Sequence, residues 1–241
     1  MTPNKKKKTE GSSVRLNKYL ADKGIVTRRS ADELIKKGLV FINGKKATLG
    51  DFVNEGDKVE AEKPKESDRL VYYAYNKPIG VTTVGKQPGE KEIKDVTKFP
   101  IPVFPVGRLD KDSSGLIIMT NDGRITKKLL DPEYEHEKEY LVEVNKPVDH
   151  LFMVRLRDGV RLGRGEMTKK AKVRKVESRK FEIIITEGKN RQIRRMCAAF
   201  NYEVKKLTRI RVMNIVLAKL KPGQLRELKG KELADFLKEV L

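Results

Sequence analysis

Between Glu62 and Arg69 the chain has eight residues without an aliphatic or aromatic side chain, one of them proline, and their charges cancel. Such a stretch has no apolar surface to bury and reads as a linker. It forces the apolar residues on either side into separate cores, one within 14–61 and one within 70–241. Hydrophobic residues make up 38% of the chain, enough for both cores. The apolar runs are short. The longest, such as Leu116 to Met119, fall far below the roughly 20 residues a membrane-spanning helix needs, and no apolar stretch follows the basic N-terminus as a secretory signal would. One cysteine, Cys197, excludes a disulfide scaffold, and with two histidines beside it a multi-ligand zinc site is not expected. Lys and Arg number 54 against 34 Asp and Glu, a formal charge of +20. The expectation is a soluble, cytoplasmic, strongly basic protein with no metal and no membrane contact. Its first candidate partner is nucleic acid.

The excess charge is spread over the chain. The tail 1–13 carries Lys5 to Lys8 without apolar periodicity and is expected to be disordered. Residues 14–61 hold ten basic groups against seven acidic ones, and 70–241 hold 37 against 23. In the first segment Leu16, Tyr19 and Leu20 recur at helical spacing and Gly24 can close the helix. Thr27 or Ser30 can cap a second helix that buries Leu34 and Ile35 and ends at Gly38, with Glu33 three residues after Ser30 as in a capping box. Val40–Ile42 reads as a strand, Asn43-Gly44 as a hairpin turn that needs positive φ, and 58–62 as a further strand. Arg28 and Arg29 open the second helix, where the dipole is already positive. They are poorly placed for helix stability alone and well placed to grip phosphate, with Lys36 and Lys45 downstream. An ordinary solvated basic face is the alternative.

In 70–241, apolar runs at 70–75, 116–119, 140–144 and 181–185 read as strands. Helical patterns follow Asp122 and lie near 151–156, 190–200 and 232–241. Strands and helices do not alternate strictly, so an α+β fold with a mixed, mainly antiparallel sheet flanked by helices is expected. The most informative run is Pro105 to Gly123: Gly107 and Gly115 bracket a polar turn holding Asp110 and Asp112 directly before a buried strand. A carboxylate held there can face a cleft. Either aspartate can instead simply bond its own backbone in the turn.

The ordered motifs carry a resemblance. Arg15-Leu16-Asn17-Lys18-Tyr19-Leu20, Arg28-Arg29 and Val40-Phe41-Ile42-Asn43-Gly44-Lys45 resemble the S-four RNA-binding domain, the module first named from a small-subunit ribosomal protein. Gly107-Arg108-Leu109-Asp110, Ser114-Gly115-Leu116 and Thr120-Asn121-Asp122-Gly123 resemble the signature of the RsuA-type pseudouridine synthases. So do Asn76-Lys77-Pro78-Ile79-Gly80-Val81, Lys138-Glu139-Tyr140-Leu141-Val142, the stretch from Glu187 to Met196, and Val204-Lys205-Lys206-Leu207 through Arg211, in that order. The wording of 47–51 and 209–214 is nearest to the RluF branch, which acts on large-subunit rRNA.

The resemblance implies a cofactor-free isomerase that flips a uridine out of RNA, breaks its N-glycosidic bond, turns the base and rejoins it through carbon-5. The implied substrate is ribosomal RNA, 23S by branch, with tRNA as a further partner. It makes Asp110 the nucleophile or base on the sugar, Arg194 its cationic partner, and Tyr140 the ring stacked on the flipped uracil. Arg108 can fill the gap left in the RNA or meet a phosphate, Leu207 can line the uracil pocket, and Lys77 can touch RNA. On a helical wheel Arg194 falls at the edge of the apolar stripe of Ile193, Met196, Cys197 and Phe200, whereas Arg191 and Arg195 lie opposite it as RNA contacts. Tyr140 and Leu207 also read as core, Arg194 as a surface arginine, Asp112 as turn chemistry, Cys197 as buried packing, and His136 and His150 as surface residues. A non-catalytic ribosome-assembly factor and a DNA-binding protein are the competing readings; neither would need Asp110, Tyr140 and Arg194 together.

Overall fold

The structure, a computed structural model, describes residues 13–61, 69–163 and 165–241. The tail 1–12 and the linker residues 62–68 therefore lie outside the described residues. The described residues up to 70, with 122–124, form one compact unit, and those of 71–121 with 125–241 form another.

The first unit runs β1 (Val14–Arg15), α1 (Leu16–Asp22), α2 (Arg28–Lys36), β2 (Val40–Ile42), β3 (Lys45–Lys46), β4 (Phe52–Val53) and β5 (Val59–Ala61). Of the two candidate caps Thr27 is the one used: its hydroxyl accepts from Ser30 N–H at 3.1 Å, so α2 starts three residues earlier than a Ser30 cap would place it. Asn43 and Gly44 both take positive φ, at 50° and 75°, and close the β2–β3 hairpin. β2 also pairs with β5, and β1 pairs with β4. Leu16, Leu20, Ala31, Leu34, Ile35, Val40 and Val53 form a core of this unit's own.

The second unit continues with β6 (Tyr72–Lys77), α3 (Ile93–Val96), β7 (Phe104–Val106), β8 (Ser114–Thr120), α4 (Ile125–Leu130), β9 (Lys138–Val144) and α5 (His150–Arg157). It closes with β10 (Lys172–Glu177), β11 (Lys180–Ile185), α6 (Gln192–Ala198), β12 (Val204–Val212), β13 (Ile215–Val216), β14 (Leu225–Glu227) and α7 (Gly230–Val240). One sheet orders the strands β10-β11-β9-β12-β8-β6-β14, with β13 beside β12 and β7 beside β8. Only the β12–β8 pairing is parallel. Tyr140, Val142 and Val144 alternate on β9, and Phe181, Ile183 and Ile185 on β11. Phe152 and Leu156 of α5 and Ile193, Met196 and Cys197 of α6 complete the same core. The fold is α+β, as expected.

The central strand β12 is the element the sequence hides. Lys205, Lys206, Arg209 and Arg211 interrupt its apolar residues, so its period of two is not visible as hydrophobicity. It lies between β9 and β8 and joins the strand of Tyr140 to the strand that follows Asp110. Gly115 makes this joint possible. Its φ is +107°, and a Cβ there would lie 2.3 Å from the carbonyl oxygen of Arg209 and 2.6 Å from its nitrogen.

Candidate active site

The turn between β7 and β8 carries Asp110. Leu109 beside it is buried and anchored at both backbone groups by Thr83, whose hydroxyl accepts from Leu109 N–H at 3.1 Å and donates to Leu109 C=O at 2.7 Å. The amide of Gly80 bonds the Lys111 carbonyl at 2.8 Å, and Ser113 N–H closes the turn on the Asp110 carbonyl at 3.0 Å. The segment after β6 thus clamps the turn from one side. The Asp110 carboxylate remains one-third exposed and lines a cavity of about 470 Å³.

The cation nearest Asp110 is Arg191, not Arg194. Nη1 of Arg191 lies 3.9 Å from the Asp110 carboxylate, while the guanidinium grips Asp112 with two bonds of 3.0 and 2.9 Å. Arg194 turns elsewhere. Its Nη2 donates to the Asp112 carbonyl at 2.8 Å, Nη1 donates to the Val204 carbonyl at 3.0 Å, and Nε stands 3.3 Å from the Asp112 carboxylate without a hydrogen bond. The expected Asp110–Arg194 pair is therefore corrected. Arg194 is mostly buried and fixes the backbone of the turn. Arg191 precedes α6 in left-handed backbone, φ +46°, which swings its side chain out of helical phase toward the aspartates. A helical wheel cannot represent a residue outside helical geometry. Asp112 is likewise more than turn chemistry: the Arg191 bond holds its carboxyl below the usual carboxylate range.

Lys77 is also corrected. It is fully buried, so it does not touch RNA; its ammonium donates to the carbonyls of Pro78 at 2.9 Å and Val81 at 2.6 Å. Burial pushes it down to about 8, against the opposing pull of the Asp110 and Asp112 charges. It contributes a positive field to the aspartate turn from behind.

Tyr140, Leu207, Arg108 and Arg191 line the same cavity as Asp110. Tyr140 and Leu207 are buried and belong to the core as well as lining the cavity. Arg108 is exposed. Two further cations at the cavity were not singled out from sequence. Lys138 is 9% exposed and Arg209 is 5% exposed. Strand alternation puts Lys138 on the face of Tyr140, and register places Arg209 directly opposite Tyr140. That alternation was the available signal for Lys138, whereas Arg209 lay in an unrecognised strand.

Arg195, expected as an RNA contact, is bound within the unit to Glu166 at 2.6 Å and to the Leu162 carbonyl at 2.9 Å. Arg28, Lys36 and Lys45 are exposed on the first unit; the Arg29 side chain lies outside the described residues. Cys197 is buried and its thiol is pushed up to about 12 by desolvation. His150 is exposed, as expected. His136 is half-buried against Tyr134, and desolvation lowers its pKa. Among the described residues no helix is long and apolar enough to cross a membrane.

A turn-held carboxylate, a facing aromatic ring and buried cations suit chemistry on a flat polar ring carried by a sugar. Comparison with known proteins gives the same direction. The dual-specificity RNA pseudouridine synthase RluF of Escherichia coli K12 is 47% identical over 231 residues, covering 94% of this chain and 79% of the relative. The ribosomal large subunit pseudouridine synthase B of Bacillus subtilis is 39% identical over 228 residues, covering 91% of this chain and 93% of that one. A crystal structure of a pseudouridylate synthase superposes with a TM-score of 0.67 at 28% identity, over 95% of this chain and all of the other. The S4 domain matches residues 14–59, and the family described as RNA pseudouridylate synthase matches residues 71–199. With the aspartate turn, the tyrosine strand and the arginine helix all around one cavity, the chain belongs to the RNA pseudouridylate synthase family.

Proposed function

We propose that this pseudouridine synthase isomerises a uridine of ribosomal RNA, in the large subunit. The observation that carries the reading is the cavity that gathers Asp110, Tyr140 and Leu207 in one place beside an exposed Arg108. The relatives support the substrate class, since one is named for the large ribosomal subunit. The description of the RluF relatives as dual-specificity supports a second RNA, for which tRNA is the candidate.

In this reading the Asp110 carboxylate acts on the ribose of a flipped uridine, either attacking the anomeric carbon or taking a sugar proton. The N1 to C1′ bond breaks, the base turns, carbon-5 bonds C1′ and releases whatever had compensated that carbon, the proton on carbon-5 leaves, and N1 takes up a proton. No atom is gained or lost, so no cofactor is needed. Arg191 is the cation beside the Asp110 carboxylate, 3.9 Å away, and it can hold an RNA phosphate at the same mouth. Arg194 keeps the turn in place. Tyr140 stacks on the base and Leu207 packs beside it. Arg108 occupies the space the flipped base leaves. Arg28, Arg29, Lys36 and Lys45 of the first unit supply phosphate contacts that position the RNA without reading its sequence.

Replacing Asp110→Asn tests this reading. Tritium release from 5-tritiated uridine in rRNA transcripts is expected to fall below detection, while filter-binding affinity stays within about 3-fold of wild type. Retained turnover would remove Asp110 from the chemistry. Absence of any turnover by the wild-type protein on rRNA and tRNA would support an assembly factor instead.

A further inference from the structure

The cavity that holds Asp110 has a floor whose charge is unbalanced. Lys138 and Arg209 are both more than nine-tenths buried, and both line it. Among the described residues neither has a carboxylate partner. The Lys138 ammonium has one acceptor, the His136 carbonyl at 3.2 Å, and so leaves two of its three protons unused. Arg209 spends its Nε on the Leu116 carbonyl at 2.6 Å, and among the described residues its two terminal nitrogens have no hydrogen-bond partner. Neighbouring carboxylates are engaged elsewhere: Glu137 and Glu139 both bind Arg211, which leaves the floor to the two cations. Burying an ammonium and a guanidinium without counterions costs several kcal/mol each. Among the described residues no carboxylate offsets that cost, and a ligand group in the cavity would.

The position decides which group. Arg209 is the cross-strand partner of Tyr140, and Lys138 precedes Tyr140 by two residues on the same face of β9. The exposed arginines Arg108 and Arg191 stand at the mouth, where phosphates remain in water. A nucleotide that enters base first therefore brings its base, not its phosphate, to the buried floor. We propose that Lys138 and Arg209 are catalytic residues that hydrogen-bond the two carbonyl oxygens of the flipped uracil and neutralise the anion formed when the base detaches.

The electron balance requires such a partner. When the N1 to C1′ bond breaks, its electron pair stays with N1 and spreads over O2 and O4, and the anomeric carbon takes either a bond from the Asp110 carboxylate or a double bond to carbon-2′ as Asp110 removes the proton there. The detached base carries the negative charge until carbon-5 gives an electron pair to C1′; the proton on carbon-5 then leaves and N1 takes one up, which restores the neutral ring. Two fixed cations in a desolvated pocket stabilise that charge without reorganising. They also fit the turning of the base. Rotation by half a turn about the N3 to C6 axis exchanges N1 with C5 and O2 with O4. A floor that offers one donor to each carbonyl meets the same pair of acceptors before and after the rotation.

This inference rests on the reading of the cavity as the uridine site, and the experiment separates the two. Wild type is first assayed on rRNA and tRNA; no conversion of either would overturn the site reading and the floor together. On the RNA that wild type converts, Lys138→Gln and Arg209→Gln are compared in single turnover at saturating protein. Each is expected to slow the reaction about 100-fold while RNA affinity changes less than about 2-fold. Lys138→Arg and Arg209→Lys, which keep the charge, are expected to recover at least about 10-fold of that loss. On RNA carrying 5-fluorouridine, whose base is the better leaving group, the loss in glycosidic cleavage is expected to shrink by about 10-fold. Equal losses on both substrates would overturn the proposal, and so would weakened binding with a reduced salt slope at unchanged saturated rate, which marks a phosphate contact.

Discussion

Charge placement around the aspartate turn shows what single residues contribute. Asp112 binds Arg191 through both carboxylate oxygens, Arg194 holds the backbone of the same turn, and Lys77 stands behind it fully buried. The lysine has a measurable signature. Burial sets its pKa near 8 in the folded protein, against an ordinary 10.5, and Lys138 behaves alike. A lowered lysine costs folding free energy while the folded form is charged, because the unfolded chain binds the proton more tightly. That cost is relieved as pH rises above about 8, where the unfolded chain holds more protons than the folded one. Between pH 7.5 and 9 the two lysines together should add roughly 2 kcal/mol to the stability of the second unit, about half from each. Urea unfolding at the two pH values should show this rise, and Lys77→Met should lose about half of it. A rise of the same size in the variant would place the proton elsewhere. Most of these residues were visible as candidates in the sequence. The partner of Asp110 was not, because Arg191 takes left-handed backbone just ahead of its helix and so leaves the wheel on which Arg194 looked favourable.

The joint between β8 and β12 illustrates the scale of the element. Four strands of the second unit, β6, β8, β9 and β11, are continuous apolar or alternating runs, and the sequence displays them openly. The charged β12 is displayed only by its neighbours' need for a partner: Leu207, Thr208 and Arg209 pair with Val142, Leu141 and Tyr140, while Thr208 and Arg209 pair with Ser114 and Gly115 on the other side. Gly115 has no room for a methyl group against the Arg209 backbone, and its φ of +107° penalises any L side chain besides. Gly115→Ala should therefore destabilise the second unit by about 3 kcal/mol and disable turnover by separating Tyr140 from the aspartate turn. Thermal melts followed by circular dichroism check the first expectation and tritium release the second. A variant that melts like wild type would mean that the strands part without cost. Gly115 itself was legible as a bracket of the turn; the backbone it must avoid belongs to a strand 94 residues away by its neighbouring contact between Ser114 and Thr208.

For the whole molecule, the two cores are separate and both are wrapped in basic surface. With phosphate contacts expected on each, RNA affinity should divide between the units. Residues 69–241 alone should keep their circular-dichroism signature, because their core is self-contained. They should bind the rRNA substrate at least about 10-fold more weakly, with a shallower dependence of log affinity on log salt, since each lost phosphate contact removes a little less than one unit of slope. Filter binding across a salt series measures both, and an unchanged slope would show that the first unit does not touch the RNA. The sequence by itself determined the α+β class, the basic character and the motifs that mark the family, because these rest on local pattern and on composition. Only the tertiary structure decided which cation stands beside Asp110, that Lys77 is buried, that Arg195 is spoken for, and that Lys138 and Arg209 share the cavity of Tyr140 without a carboxylate partner among the described residues. Those facts depend on which strands are neighbours and on where a chain departs from ideal helix geometry, and neither property is written in the spacing of residues along one segment.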